Sequence, residues 1–314
     1  IILFTLITKI IMFPISLLVQ KNSIKMVKMK PELDALRYQY VDDKDAYVDA
    51  QSALYKKEKY SPMAGVWPLL LQLPIIFGLL DVVYKPLKHL LHISADTASA
   101  FVARAAEISG MTVADLGSTA QLTAVNLVKE NAAKFADIPG ADAAIEAIKG
   151  LNTNFLGIDL TQTPSISHIN LIFFVPIIAG LSALLMCWIQ NRINVLQIEQ
   201  NKLSQWGMTI FMIAFSTFFA FIVPAGVGLY WAWGNLFAIG VMYLVNIIYS
   251  PKKYINYDAL EDMKKQAAEE KATAKKNKAL AKKYYKQFFS SENADNMKLV
   301  FYSEGSGYYK YFKN

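Results

Sequence analysis

The chain has 314 residues, 54% of them hydrophobic, a mean hydropathy of +0.27 and a formal net charge of +7. Several apolar runs of about twenty residues mark a polytopic membrane protein and exclude an ordinary soluble globule. A single cysteine, Cys187, excludes an intrachain disulfide framework or a cysteine metal site. The lysines gather in two blocks between and after the apolar runs, as in loops facing anionic lipid or RNA.

Residues 1–20, IILFTLITKIIMFPISLLVQ, form the first expected span, with one full charge, Lys9. At 1.5 Å rise per residue, Lys9 lies roughly 15 Å from the polar stretch at Gln20, near the membrane midplane and too deep to snorkel. A charge left there costs about 2.5–3.5 kcal/mol. No acidic residue lies near mid-depth in the later spans, so the reading is a wet pocket around Lys9. Thr5, Thr8, Gln72, Ser182, Ser216, Thr217 and Asn235 are the candidates to line it, and each alone also suits an interhelical hydrogen bond. A start without methionine inside an apolar run leads us to expect processing or truncation.

Residues 21–62 read as a helical hairpin outside the membrane, or else a solvated linker. Lys21, Lys25 and Lys28 share one helical face. Pro31 is placed to start a new helix, with Leu33, Leu36 and Tyr40 as its stripe. Asp42 or Asp43 caps a second helix, whose stripe is Tyr47, Ala50 and Leu54.

Residues 63–85 are the second span, interrupted by Pro68 and Pro74; Asp81 near its far end is within reach of headgroups. Residues 86–168 read as a small helical domain, with helix starts at Ser118-Thr-Ala-Gln121, a capping-box pattern, and at Gly140. His89 and His92 lack further ligands at metal spacing and are read as surface residues. Three further spans follow at 169–190, 207–223 and 227–249, with a loop at 191–206 and a tight VPAGV turn between the last two. Trp188, Trp206, Tyr230 and Tyr249 sit at span ends, as interfacial aromatics do.

Orientation follows from lysine and arginine. Loop 21–62 carries nine, the longer loop 86–168 five, the turn at Pro224 none, and the tail 250–314 fourteen. The hairpin, the 191–206 loop and the tail are therefore expected in the cytoplasm, with the N-terminus and the helical insertion outside. The tail from Lys264 to Lys286 reads as a solvated helix or a disordered arm, able to bind ribosomal RNA or anionic lipid through phosphates or merely to solubilise. After 297, KLVFYSEGSGYYKYF reads as a strand, a glycine turn and a helix start, the opening of a further domain. The expected fold is an all-α polytopic membrane protein with five transmembrane helices, a cytoplasmic helical hairpin and a small helical extracytoplasmic insertion.

No paired carboxylates, nucleophile–base pattern, Walker loop or metal cluster is visible, so neither an enzyme nor a cofactor is expected. The span prolines suggest the broken helices of a transporter, but no repeated halves appear and five spans do not divide into two.

Together, TKIIMFPI, KMVKMKPELDALRYQY, ALYKKEKYSPMAGVWPLLLQLPIIFGLL, NFLGIDLT and VPAGVGLYWAWGNL resemble the YidC/Oxa/Alb family of membrane protein insertases, in its bacterial form, across all five spans and the hairpin. The resemblance implies insertion of nascent membrane proteins without catalytic chemistry, from the cytoplasm into a bacterial plasma membrane. It also implies a positive residue of the first span in a hydrophilic groove closed on the outer side, a position that Lys9 matches. Many bacterial members have arginine there, whose planar fork grips carboxylates bidentately where lysine offers a point charge. The hairpin is then needed for insertion, the basic tail is placed to contact the ribosome, and the Sec translocon and anionic lipids are further expected partners. The rival readings are a small-solute transporter or channel using Lys9 as an anion site, and an assembly chaperone needing no groove charge.

Overall fold

The computed structural model of the protein describes residues 1–40, 43–167 and 169–289. Its helices are α1 (Ile2–Gln39), α2 (Lys44–Lys57), α3 (Trp67–Tyr84), α4 (Pro86–His89), α5 (Ala95–Ser109), α6 (Val113–Leu116) and α7 (Ala120–Asn131). They continue with α8 (Ala141–Gly150), α9 (Phe174–Ile193), α10 (Val195–Ile198), α11 (Lys202–Ile222), α12 (Ala225–Ile248), α13 (Pro251–Tyr254) and α14 (Tyr257–Phe289). One two-stranded sheet, β1 (Asn154–Phe155) with β2 (Ile158–Asp159), interrupts an otherwise helical chain among the described residues. Five segments are long and apolar enough to cross a membrane: Ile2–Gln39, Pro62–Tyr84, Leu171–Ile193, Lys202–Ile222 and Ala225–Tyr254. The protein is thus an all-α polytopic membrane protein, as the apolar runs require.

Two compact units are present, one built from Ile1–Ser16 and Val66–Leu244, the other from Leu17–Gly65 and the described residues from Val245 on. In the first unit, α9, α11 and α12 pack through small residues. Ala179, Ala220 and Ala232 form a buried cluster against Trp231. A Cβ added at Gly180 would run into Thr217 Oγ1, and one at Gly228 would stand 2.8 Å from Val175 Cγ1, so these glycines set the helix spacing. The tight α11–α12 turn is pinned by the segment after β2, where Ala225 N donates to Gln162 O (2.8 Å) and Gly226 N to Leu160 O (2.9 Å).

The same unit carries the helical insertion, α4 to α8, around a core that includes Leu87, Phe101, Val125, Phe135 and Ile148. Phe101 and Phe135 stack at 5.3 Å between centroids. The expected helix start at Gly140 is present, with Gly140 in the left-handed region (φ 77°). The expected capping box at Ser118 is not. The box forms instead at Thr112 and Asp115, while Gln121 accepts a hydrogen bond from Leu87 N (3.1 Å), which ties α7 to α4. Hydrogen bonds from the Thr112 side chain and backbone hold the Asp115 carboxyl below its usual range. The bidentate Arg104 guanidinium does the same for Asp137.

In the second unit, α1 runs through Pro31 without a break, so a helix restart there is corrected. A proline removes one hydrogen bond, and here it is buried in a turn already held by Met29 and Leu33 packed on Leu54. Asp43 caps α2, accepting from Ala46 N at 2.9 Å; Asp42 lies outside the described residues. The base of the hairpin closes with a reciprocal pair, Asn22 Nδ2 to Ser61 O (2.8 Å) and Ser61 N to Asn22 Oδ1 (2.9 Å).

The tail is helical from Tyr257 to Phe289 and lies along α1 rather than apart from it. Gln20 donates to Asn246 Oδ1 (2.9 Å), and Lys21 sits 4.6 Å from the centre of the Tyr249 ring. Further along, Lys271 sits 5.5 Å from that of Tyr38, so the two segments run in the same direction. The expected strand and turn after residue 297 fall outside the described residues.

Candidate functional site

Leu6, Lys9, Ile10 and Phe13 stand at i, i+3, i+4 and i+7, one face of α1. With Phe237, Gly240, Val241 and Leu244 of α12 they line a cavity of about 330 Å³. Lys9 is the one lining residue with a polar side chain, and it is partly exposed. Its stem lies over Gly234, where an added Cβ would stand 4.0 Å from both Cε and Nζ. Among the described residues its ammonium has no carboxylate partner and makes no hydrogen bond. The site therefore presents an uncompensated positive charge in a mostly apolar wall. A negatively charged or hydrogen-bond-accepting group entering it would gain most of its binding from that one contact.

The other seven sequence candidates are placed elsewhere. Thr5 Oγ1 donates to Ile1 O (2.8 Å) and Thr8 Oγ1 to Thr5 O (2.7 Å), both within α1. Gln72 Nε2 donates to Tyr230 Oη (2.6 Å), Asn235 Nδ2 to Ser182 Oγ (3.0 Å) and Trp231 Nε1 to Ser216 Oγ (3.1 Å). Thr217 fills the notch above Gly180. These bonds converge on α12, which is tied to α3, α9 and α11 through Tyr230, Asn235 and Trp231. What the structure brings together is a bolted helix with Lys9 packed over its Gly234.

The second wall of the cavity was missed in the sequence. Phe237, Gly240, Val241 and Leu244 recur at i, i+3, i+4 and i+7, and that small-and-aromatic stripe was the available signal. At the far end of α3, Asp81 is held by Lys85 (2.5 Å) and His89 (2.7 Å), which gives His89 a carboxylate partner. Among the described residues no group of three His, Cys, Asp or Glu side chains is placed to hold a metal ion.

The family described as 60Kd inner membrane protein matches residues 1–253. The chain belongs to that family. The resemblance carried by the span and hairpin motifs is thereby borne out.

Relatives of the chain include a protein named Membrane protein insertase YidC from Rhizobium meliloti (strain 1021), 26% identical over 237 residues. That match covers 75% of this chain and 31% of the relative. The protein of the same name from Methylobacterium sp. (strain 4-46) is 28% identical over 244 residues, covering 77% of this chain and 30% of its own length. The one from Allorhizobium ampelinum is 27% identical over 241 residues, 76% of this chain and 30% of that protein. The chain thus spans about a third of the length of the curated relatives it matches. No solved structure matches.

Proposed function

We propose that this protein inserts membrane proteins into a bacterial inner membrane and that Lys9 is the binding group of its substrate groove. The observation that carries the reading is an unpaired ammonium in a partly open cavity on a membrane-spanning helix. A hydrophilic segment of a nascent chain enters from the cytoplasm and its carboxylate pairs with Lys9. Held there, it has less hydrocarbon left to cross, which lowers the desolvation barrier. Apolar substrate helices leave beside α3 and α11 into lipid. Gln72, Ser182, Ser216 and Asn235 shape the groove by tying α12 to its neighbours and Thr217 by filling the notch at Gly180, while Thr5 and Thr8 turn their hydroxyls onto the backbone of the Lys9 helix itself. No covalent chemistry or cofactor is involved.

In this reading the hairpin, the 191–206 loop and the tail are cytoplasmic, and the N-terminus and the 86–168 insertion are outside. Nascent chains are the substrates, and the basic tail faces the ribosome or anionic lipid. The Sec translocon is a further partner. The test is insertion of an acidic-tailed substrate by purified protein in liposomes. Lys9→Arg is expected to keep activity and Lys9→Glu to abolish it; equal insertion by Lys9→Glu overturns the proposal.

A further inference from the structure

The β1–β2 hairpin pairs Asn154 with Asp159 and Phe155 with Ile158, leaving Leu156 and Gly157 as a two-residue turn. Both turn residues have positive φ, 51° and 81°, which defines a type I′ turn. Asn, Asp or Gly suits the first position, because a larger L side chain is strained in the left-handed region. Leucine is therefore a poor turn residue here. Nor does its side chain gain packing within the chain, since Leu156 is 84% exposed.

The hairpin itself is rigidly mounted. Phe155, Ile158 and Leu160 pack on Ile172, Val175, Ala225 and Leu229, in the first turns of two membrane spans. A Cβ at Gly157 would stand 3.2 Å from Leu171 Cδ1. Leu171 in turn heads an exposed apolar stripe down α9: Leu171, Phe174, Ile178, Leu181, Leu185 and Trp188, at helical spacing. In a membrane span such a stripe faces lipid. The turn adds one more apolar rung at its end, and Ile166 and Ile169, 79% and 74% exposed, lead into the same span.

We propose that Leu156 is a membrane anchor: the hairpin tip dips into the leaflet at which α9 begins, and lipid acyl chain covers the leucine. The anchor holds the end of α9, and the α11–α12 turn bonded to the same segment, at a fixed depth. It goes beyond the insertase reading and stands on the membrane spans alone, so it survives even if Lys9 proves dispensable.

The test uses the full chain in phosphatidylcholine–phosphatidylglycerol vesicles. Leu156→Cys in a Cys187→Ala background is labelled with nitrobenzoxadiazole, with Glu107→Cys on the exposed face of α5 as the water-facing control. Shallow spin-labelled lipids are expected to quench the probe at 156 several-fold more than the control, with aqueous iodide doing the reverse. Absence of lipid quenching overturns the proposal, whether iodide quenching equals the control, as for a tip in water, or falls below it, as for a tip covered by protein. A second measurement avoids the label. Leu156→Asn creates the preferred Asn-Gly turn, so in vesicles a purely local turn predicts equal or slower amide exchange across the hairpin. Anchoring predicts faster exchange, by roughly tenfold for loss of a buried leucine, and equal or slower exchange overturns it.

Discussion

The helical insertion and the membrane bundle are built by opposite rules. In the insertion, Leu87, Phe101, Phe135 and Ile148 are buried and the surface is polar and charged. In the bundle, Ala179, Ala183 and Ala220 are buried, while Leu181, Ile210 and Phe218 point outward. Water drives large apolar side chains together in the first case. Lipid gives no such drive in the second, so close approach of small residues and a few hydrogen bonds hold the helices.

That contrast can be broken by substitution. The largest effect is expected at Gly180→Leu, where the new side chain must displace Thr217 and separate α9 from α11. No cooperative thermal transition of the bundle in detergent should remain. Phe101→Ala should cost the insertion about 3–5 kcal/mol, read as lost amide protection in α5 and α7 while the spans stay protected. Asn235→Leu removes the bond to Ser182 and should cost only about 1 kcal/mol, measured by unfolding in mixed micelles.

Acid should loosen the insertion. The folded Asp115 and Asp137 carboxyls lie below their usual range, so their contribution is fully present above the unfolded carboxylate value. It is lost as pH falls through the depressed folded values. Amide exchange around Thr112 and Asp137 should therefore rise below pH 4 before that of α9. Phe218→Ala on the lipid face should shift bundle stability by less than about 0.5 kcal/mol. A large loss there would mean that Phe218 packs against protein, and the contrast would fail.

The spans and hairpin were legible in the sequence because length, apolar run and charge are local signals. Lys9 stood out for the same reason, as a lone charge in an apolar run. Continuity through Pro31 was not legible, because the penalty for an interior proline depends on whether the turn around it is already packed. Two S/T-x-x-polar patterns six residues apart competed for one capping box, and only the use of Gln121 by Leu87 N decides between them. The contact of Lys271 with Tyr38 joins residues far apart in the chain and has no local signature. For the same reason the seven polar candidates could be named from the sequence, but the bonds that tie Gln72, Ser182, Ser216 and Asn235 into the frame around α12 could not.

Those bonds decide which jaw of the Lys9 cavity can yield. The back of α12 is clamped at three points, whereas the hydroxyls of Thr5, Thr8 and Ser16 all turn onto carbonyls of their own helix. In this unit, α1 meets α12 through van der Waals surfaces, the Phe4 ring on Tyr230 and the Lys9 stem over Gly234. Within the first unit the two helices can therefore part at the Lys9 cavity without rupturing a polar link, and the bond from Gln20 to Asn246 in the second unit is the polar tie that remains between them.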